Sequence, residues 1–309
     1  MSLSTHDTPD AMIVRLRMAA SSTLRRWRSP RLAQRDEGHR RLDALAILAV
    51  MGMVLLVAIQ TDEAAARAVG DMPLWLKAGF GQITYLGLSG YMFTLAGLTL
   101  LGALLARGRG RGARFDRACL FLAERAGFLI AVLAVSGLAS QAIKHLFGRA
   151  RPSLIDMVGP FHFDMMALQS TYASMPSGHA VSAFAMAVSL GWMAPRLRWP
   201  LLGLALLIAI SRVVISAHYP SDVLAGAGLG TACAIVLRRA FALRGLAFRW
   251  TPTSLRLRSA GAVWPALISS SRPLARLPCR PFNRASPSLF PPATRLAISP
   301  PWLRRSRRR

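Results

Sequence analysis

Apolar residues along this chain gather into six long runs: Leu42–Gln60, Ile83–Ala106, Ala126–Ile143, Gly178–Ala194, Trp199–Ala217 and Ser221–Leu237. A helix needs roughly 17–25 mostly apolar residues to cross the hydrocarbon layer of a bilayer. The pattern therefore predicts an all-α bundle of six transmembrane helices. The second run is the clearest, with no charged residue between Lys77 and Arg107. The fourth and sixth are short and rich in Gly, Ala and Ser. Gly226 and Gly230 form a small-xxx-small pair of the kind that lets helices approach closely in lipid. A buried soluble bundle can hold single runs of this length, but six in series point to a membrane.

Composition agrees, since 53% of the 309 residues are hydrophobic and the mean hydropathy is positive. The polar positions divide the rest. Residues 1–41 form a basic tail without an early apolar core, so no cleavable signal peptide is expected. Within it, Ala11 to Arg28 suits either an amphipathic helix on the membrane surface or a plain cytoplasmic tail. Residues 42–238 make the membrane domain. Residues 239–309 read as a disordered Arg/Pro/Ser-rich tail, and no Asp or Glu occurs from 240 onward.

The formal net charge of +26 raises nucleic acid as a partner. The arginines lie mainly in the two tails and short connections, which suits the positive-inside rule instead. The N-terminal tail, Arg107–Arg117, Arg196 with Arg198, and the C-terminal tail all fall on one side of a six-span bundle. The Thr61–Gln82 connection, holding Asp62, Glu63 and Asp71 against Arg67 and Lys77, falls on the other. Both termini are thus expected in the cytoplasm of a bacterial inner-membrane protein, and no nucleic acid is expected. The scattered cysteines Cys119, Cys233 and Cys279 indicate neither a zinc site nor a disulfide framework.

Three polar clusters stand at the ends of the later apolar runs, on the side facing away from the cytoplasm. They are Lys144 with Arg149, Arg151 and Pro152; Pro176-Ser177-Gly178-His179; and Ser211-Arg212 followed by His218 and Asp222. Ionisable groups at or within spanning helices are costly and usually functional. Snorkelling to the interface would explain Lys144 alone, but not Arg212 together with Arg151 and two histidines. Ser177 is a good helix N-cap, Gly178 lets a ligand approach the backbone, and a helix N-terminus attracts anions. Pro220 keeps His218 and Asp222 out of one regular helix, so that turn can fold the carboxylate back to the imidazole. An Asp on one ring nitrogen leaves the other free to attack. Cations, histidines and a carboxylate together suit a phosphate.

The spacings Lys144-x6-Arg151-Pro152, Pro176-Ser177-Gly178-His179 and Ser211-Arg212-x5-His218-x3-Asp222 resemble the three-part signature of the type 2 phosphatidic acid phosphatase (PAP2) superfamily. All three parts match in order, and the likeness covers about residues 42–238. The resemblance implies the six-helix fold of that superfamily, with His218 as phosphoryl-accepting nucleophile, Asp222 as its orienting carboxylate and His179 as acid and then base. It implies that Lys144, Arg151 and Arg212 hold the phosphate oxygens, with Ser177 and the Gly178 NH completing the cradle. Arg149 and His145, between motif positions, receive no catalytic role. The family needs no metal or other cofactor, and the chain shows no carboxylate cluster to bind one.

The expected partner is therefore a lipid phosphate held in the bilayer, of the undecaprenyl diphosphate, phosphatidylglycerol phosphate, phosphatidic acid or diacylglycerol diphosphate class. Transfer of the phosphoryl group to another lipid, or action on lipid A, uses the same motifs. Six spans argue against the soluble vanadium haloperoxidases that share the signature. A non-catalytic scaffold with basic tails is the reading from another class; under the phosphatase reading, removal of residues 240–309 is expected to leave turnover intact.

Overall fold

The computed structural model describes residues 52, 55, 56, 58–108, 112–250 and 255–257. Both arginine-rich tails, apart from the start of the second, and most of the first apolar run lie outside them. Helical residues 58–70 form α1, followed by α2 (Leu74–Thr84), α3 (Ser89–Ala106), α4 (Ala113–Phe147), α5 (Gly178–Met193), α6 (Arg198–Val214) and α7 (Pro220–Leu243). A small antiparallel hairpin pairs Phe248–Trp250 with Leu255–Leu257. The described fold is thus helical apart from that hairpin.

Four helical stretches are long and apolar enough to cross a bilayer: Leu74–Ala106, Ala113–Phe147, Pro195–Val214 and Pro220–Leu243. This is the pattern of a multi-pass membrane protein. The count differs from the expected six in two places. The Leu42–Gln60 run lies mostly outside the described residues. The Gly178–Ala194 run forms α5, whose 16 residues give about 24 Å at 1.5 Å per residue, short of a ~30 Å hydrocarbon core.

Enclosure explains how so short an apolar helix is stable. Helix α5 packs on α7, α6 and α4 and buries Ala180, Ala183, Ala185, Ala187, Ser182 and Ser189. Small side chains on its faces let three neighbours close around it. The expected small-xxx-small pair serves this contact. A Cβ at Gly226 would stand 2.6 Å from the Ser177 carbonyl oxygen, and one at Gly230 would stand 2.3 Å from that of Val181.

Helix α4 ends at Gly148, whose left-handed φ of 59° lets its N–H reach the Lys144 carbonyl at 2.8 Å. The chain then runs through a loop to Ser177. The Ala150 N–H donates to His162 O at 3.0 Å, Arg151 N–H to Thr171 O at 2.9 Å and Ser174 N–H to Arg149 O at 3.1 Å. These bonds fold the loop across one end of the bundle.

The other end closes differently. Phe128 of α4 meets Phe241 and Phe248 edge-on, with ring centroids 5.2 and 4.8 Å away, and Leu246, Ala247 and Phe248 are buried in the same cluster. The Ala247 N–H donates to Glu124 at 3.0 Å. Ordered structure therefore continues past the boundary expected at 238. The pair Arg238-Arg239 does not end the helix, because the Arg238 guanidinium lies over the Trp192 ring at 4.3 Å and covers apolar surface with its charge at the edge.

Removing everything after 239 would strip Phe241 and Phe248 from this core, so it is not the harmless truncation expected from composition. Phe248→Ala is expected to cost about 3–5 kcal/mol, read as a lower melting temperature in detergent. A chain ending at 257 should melt as the full chain does, and one ending at 239 well below it.

Candidate active site

The three polar clusters meet at the end of the bundle that carries the α4–α5 loop. Lys144 stands in the last turn of α4, His179 in the first turn of α5, Arg212 near the end of α6, and Asp222 in the first turn of α7. Arg151 lies on the loop and His218 in the turn between α6 and α7. The fields of Arg212, His218, Lys144 and Arg151 all fall on His179. The expected constellation is thus assembled in one place.

Local structure explains each position. Lys144 is buried, and its ammonium donates to the Ala173 carbonyl at 2.7 Å, which ties the helix end to the loop. Arg151 donates to Ser170 O at 2.8 Å, and Arg212 donates to Thr84 Oγ1 of α2 at 2.7 Å. Ser177 occupies the N-cap position of α5, but its side chain makes no capping hydrogen bond. Its backbone N–H instead donates to the Asp222 carbonyl at 2.9 Å, which links the starts of α5 and α7. Pro220 is the first residue of α7, so His218 stands just outside the helix and Asp222 just inside it.

Buried polar atoms are rarely left without a partner. Here Ser177 Oγ of the second cluster and Arg212 Nε and His218 Nδ1 of the third are buried without a hydrogen-bond partner. Two helix N-termini, those of α5 and α7, add their amide dipoles at the same end. The arrangement favours an oxyanion with several acceptor oxygens.

His218 and Asp222 are close without being hydrogen-bonded. His218 Nδ1 lies 3.8 Å from Asp222 Oδ2, beyond normal hydrogen-bond reach. Asp222 is held by others: Ser174 Oγ donates to Oδ2 at 2.5 Å, the Tyr219 N–H to Oδ2 at 3.0 Å, and Arg149 to Oδ1 at 2.7 Å. Burial pushes the His218 imidazole down to about 4, aided by Lys144 and Arg212 and opposed by Asp222, so it is neutral at pH 7.

Sequence reasoning missed the group that organises these contacts. Arg149, given no role, is 1% exposed and ion-paired to both Asp62 and Asp222, at 2.8 and 2.7 Å. It also donates to Ser221 Oγ at 2.6 Å and to Pro160 O at 2.9 Å. Asp62 of α1 is fully buried and accepts the Ser221 N–H at 2.9 Å as well as the Ser221 hydroxyl. Tyr219, whose phenol burial pushes up to about 12, lies over the Arg149 guanidinium at 4.4 Å. The signal for Arg149 was its place two residues before Arg151. Asp62, 87 residues from Arg149, carried no local signal. The His145 ring instead contacts the Ala167 carbonyl at 3.1 Å.

Comparison with known proteins places the chain. Residues 125–246, which hold all three clusters, match the PAP2 superfamily. The chain is 32% identical over 140 residues to a lipid A 1-phosphatase of Rhizobium johnstonii and 31% identical over 140 residues to one of Rhizobium etli. Each match covers 45% of this chain, and 57% and 60% of the two relatives. The chain therefore spans less than two thirds of their length. An undecaprenyl-diphosphatase of Sulfolobus acidocaldarius is 33% identical over 106 residues, covering 34% of this chain and 47% of that protein. Among solved structures, Aquifex aeolicus LpxE overlaps 58% of this chain and 94% of its own at 21% identity, with a TM-score of 0.43. A transmembrane PAP2-type phosphatidylglycerolphosphate phosphatase from Bacillus subtilis overlaps 62% and 94% at 22% identity, also with a TM-score of 0.43.

The depressed His218 ring makes a stability prediction whose sign is fixed by linkage. A histidine titrating near 4 when folded and near 6.5 when unfolded binds more protons in the unfolded chain across that window. Its contribution to stability is present above about pH 6.5 and is lost as pH falls toward 4. Melting temperature in detergent should fall across that window, and His218→Gln should flatten the fall.

Proposed function

We propose that this protein is an integral membrane phosphatase that removes phosphate from a lipid phosphate or diphosphate through a phosphohistidine intermediate. The observation that carries the reading is the set of three buried polar atoms without hydrogen-bond partners, Ser177 Oγ, Arg212 Nε and His218 Nδ1, gathered with Lys144, Arg151 and His179. The match of residues 125–246 to the PAP2 superfamily supports it.

In this reading Lys144, Arg151 and Arg212 hold the phosphate oxygens with Ser177 and the Gly178 N–H. Arginine suits forked contacts with phosphate, and lysine acts as a point charge. Such clamps stabilise charge spread over the transferring group. Asp222 beside Nδ1 leaves His218 Nε2 to attack phosphorus. An N–P bond forms as the P–O bond to the leaving group breaks, and His179 protonates the departing oxygen. His179 then takes a proton from water, whose oxygen attacks phosphorus; the N–P bond breaks and inorganic phosphate leaves. No residue in this scheme needs a metal.

A cavity of about 310 Å³ opens beside His179, lined by Ser136, Ser140, Gln141, Ser182, Leu88 and Phe93 among others. Its place next to the proton donor suits the leaving group, with apolar walls for a lipid and hydroxyls for its polar neck. The substrate is of the undecaprenyl diphosphate, phosphatidylglycerol phosphate or phosphatidic acid class, drawn from the bilayer in which the helices sit. The arginine-rich connections at the opposite end support cytoplasmic termini and a site facing the periplasm of an inner membrane.

A second reading within the same chemistry is lipid A 1-phosphatase or lipid phosphotransferase. The matches to the two Rhizobium proteins favour it. It differs in the lipid and in the acceptor of the phosphoryl group, not in the intermediate.

Purified full-length protein in detergent, offered these lipids with labelled phosphate, decides among them. Phosphate release should persist in EDTA and fall by at least about a hundredfold in His218→Ala, and an acid-labile phosphoenzyme should disappear with it. Label passing to an acceptor lipid would mark transfer. Full activity in His218→Ala would overturn the mechanism.

A further inference from the structure

Asp62, Arg149 and Asp222 form a buried ionic chain, of which the phosphoryl-transfer scheme above uses only Asp222. Their side chains are 0%, 1% and 0% exposed. Arg149 Nη2 donates to Asp62 Oδ2 at 2.8 Å and Nη1 to Asp222 Oδ1 at 2.7 Å. The remaining Asp222 oxygen, Oδ2, faces His218 Nδ1. Two carboxylates and one guanidinium leave the chain with a net charge of −1.

That sum has a consequence for His218. If Arg149 faced Asp222 alone, the pair would be neutral, and little negative charge would remain to favour cation formation on the imidazole. Charges interact strongly where water is excluded. Asp62 supplies a second carboxylate to Arg149 from a different helix, so that Asp222 keeps negative charge on the side of His218.

Ser221 pins the arrangement. Its hydroxyl accepts from Arg149 and donates to Asp62, while its N–H donates to the other oxygen of Asp62. Asp62 thereby also holds the first turn of α7, from which Asp222 projects.

We propose that Asp62 is a positioning residue for His218: by neutralising Arg149, it leaves Asp222 charged and aimed at the imidazole. The inference rests on the reading of His218 as nucleophile for its bearing on turnover, but not for its electrostatics. Asp62 touches neither the phosphate cradle nor the His218 ring. It acts through Arg149 and Asp222. The other groups facing His218 are Lys144 from α4, His179 from α5 and Arg212 from α6, and none contacts Asp62.

The test is nitrogen NMR of histidine-labelled full-length protein in detergent micelles at pH 7, with His218→Gln assigning the signal. In the wild type the His218 ring should hold its proton on Nδ1, toward Asp222. Asp62→Asn, nearly identical in shape, should turn that single tautomer into a mixture. Asp62→Glu, which keeps the charge, should retain it. An unchanged tautomer in Asp62→Asn overturns the proposal. If that variant does not fold, a mixed tautomer in a folded Asp62→Glu overturns it instead.

Turnover supplies an independent arm. On whichever lipid the wild type hydrolyses, Asp62→Asn should lower kcat about tenfold or more with KM nearly unchanged, the mark of an interaction made in the transition state. In an Asp222→Asn background the same change should have little further effect, because residues acting as one unit are not additive. Additive losses would mean a structural role only. A wild type with the fixed tautomer that releases no phosphate from any lipid would sink the phosphatase reading and leave this relay standing. A normal tautomer in Asp62→Asn alongside intact phosphatase activity would do the reverse.

Discussion

A guanidinium shut away from water sets the frame for everything at this end of the bundle. Removing one partner of a buried ion pair typically costs about 3–5 kcal/mol, because the other charge is stranded. Arg149 meets that constraint with two carboxylates, a hydroxyl and a carbonyl, drawn from α1, α7 and its own loop. None of these segments can drift without exposing or orphaning a charge. The loop is thus held down by electrostatics where the helices are held by packing. The two kinds of constraint meet at Ser177, which is bonded to Asp222 through its backbone and pressed against α7 at Gly226.

Most of the bundle was legible in the order of apolar runs, since lipid requires each crossing segment to satisfy its own backbone. The runs beginning near Ile83, Ala126, Trp199 and Ser221 each overlap a long apolar helix. The Gly178–Ala194 run forms a helix of 16 residues, and its length alone does not say whether it crosses. Composition shows that a segment is apolar, but not whether lipid or protein surrounds it. Helix α5 is wrapped by its neighbours and need not reach both faces. Helical structure also runs past residue 238, to Leu243. Arginine after an apolar run resembles a boundary, yet Arg238 lies flat on aromatic rings and the chain continues into the core.

The candidate site was legible to the extent that its residues sit in short motifs at helix ends. Lys144, Arg151, His179, Arg212, His218 and Asp222 all stand in such places and converge. Asp62 does not, because its partner lies far along the chain and the pairing exists only once α1 packs beside α7. A carboxylate among Glu63 and Asp71 reads as ordinary connection charge. Only burial separates it from them.

The aromatic cluster of Phe128, Trp192, Phe241 and Phe248 has a bearing on transport of matter through the bundle. Its member on α7, Phe241, stands 19 residues beyond Asp222 (241 − 222), about 28 Å along the helix axis. Apolar side chains in edge contact admit no file of water. Aromatic contact thus plugs this end of the described bundle, so the polar clusters at the other end take no water from it.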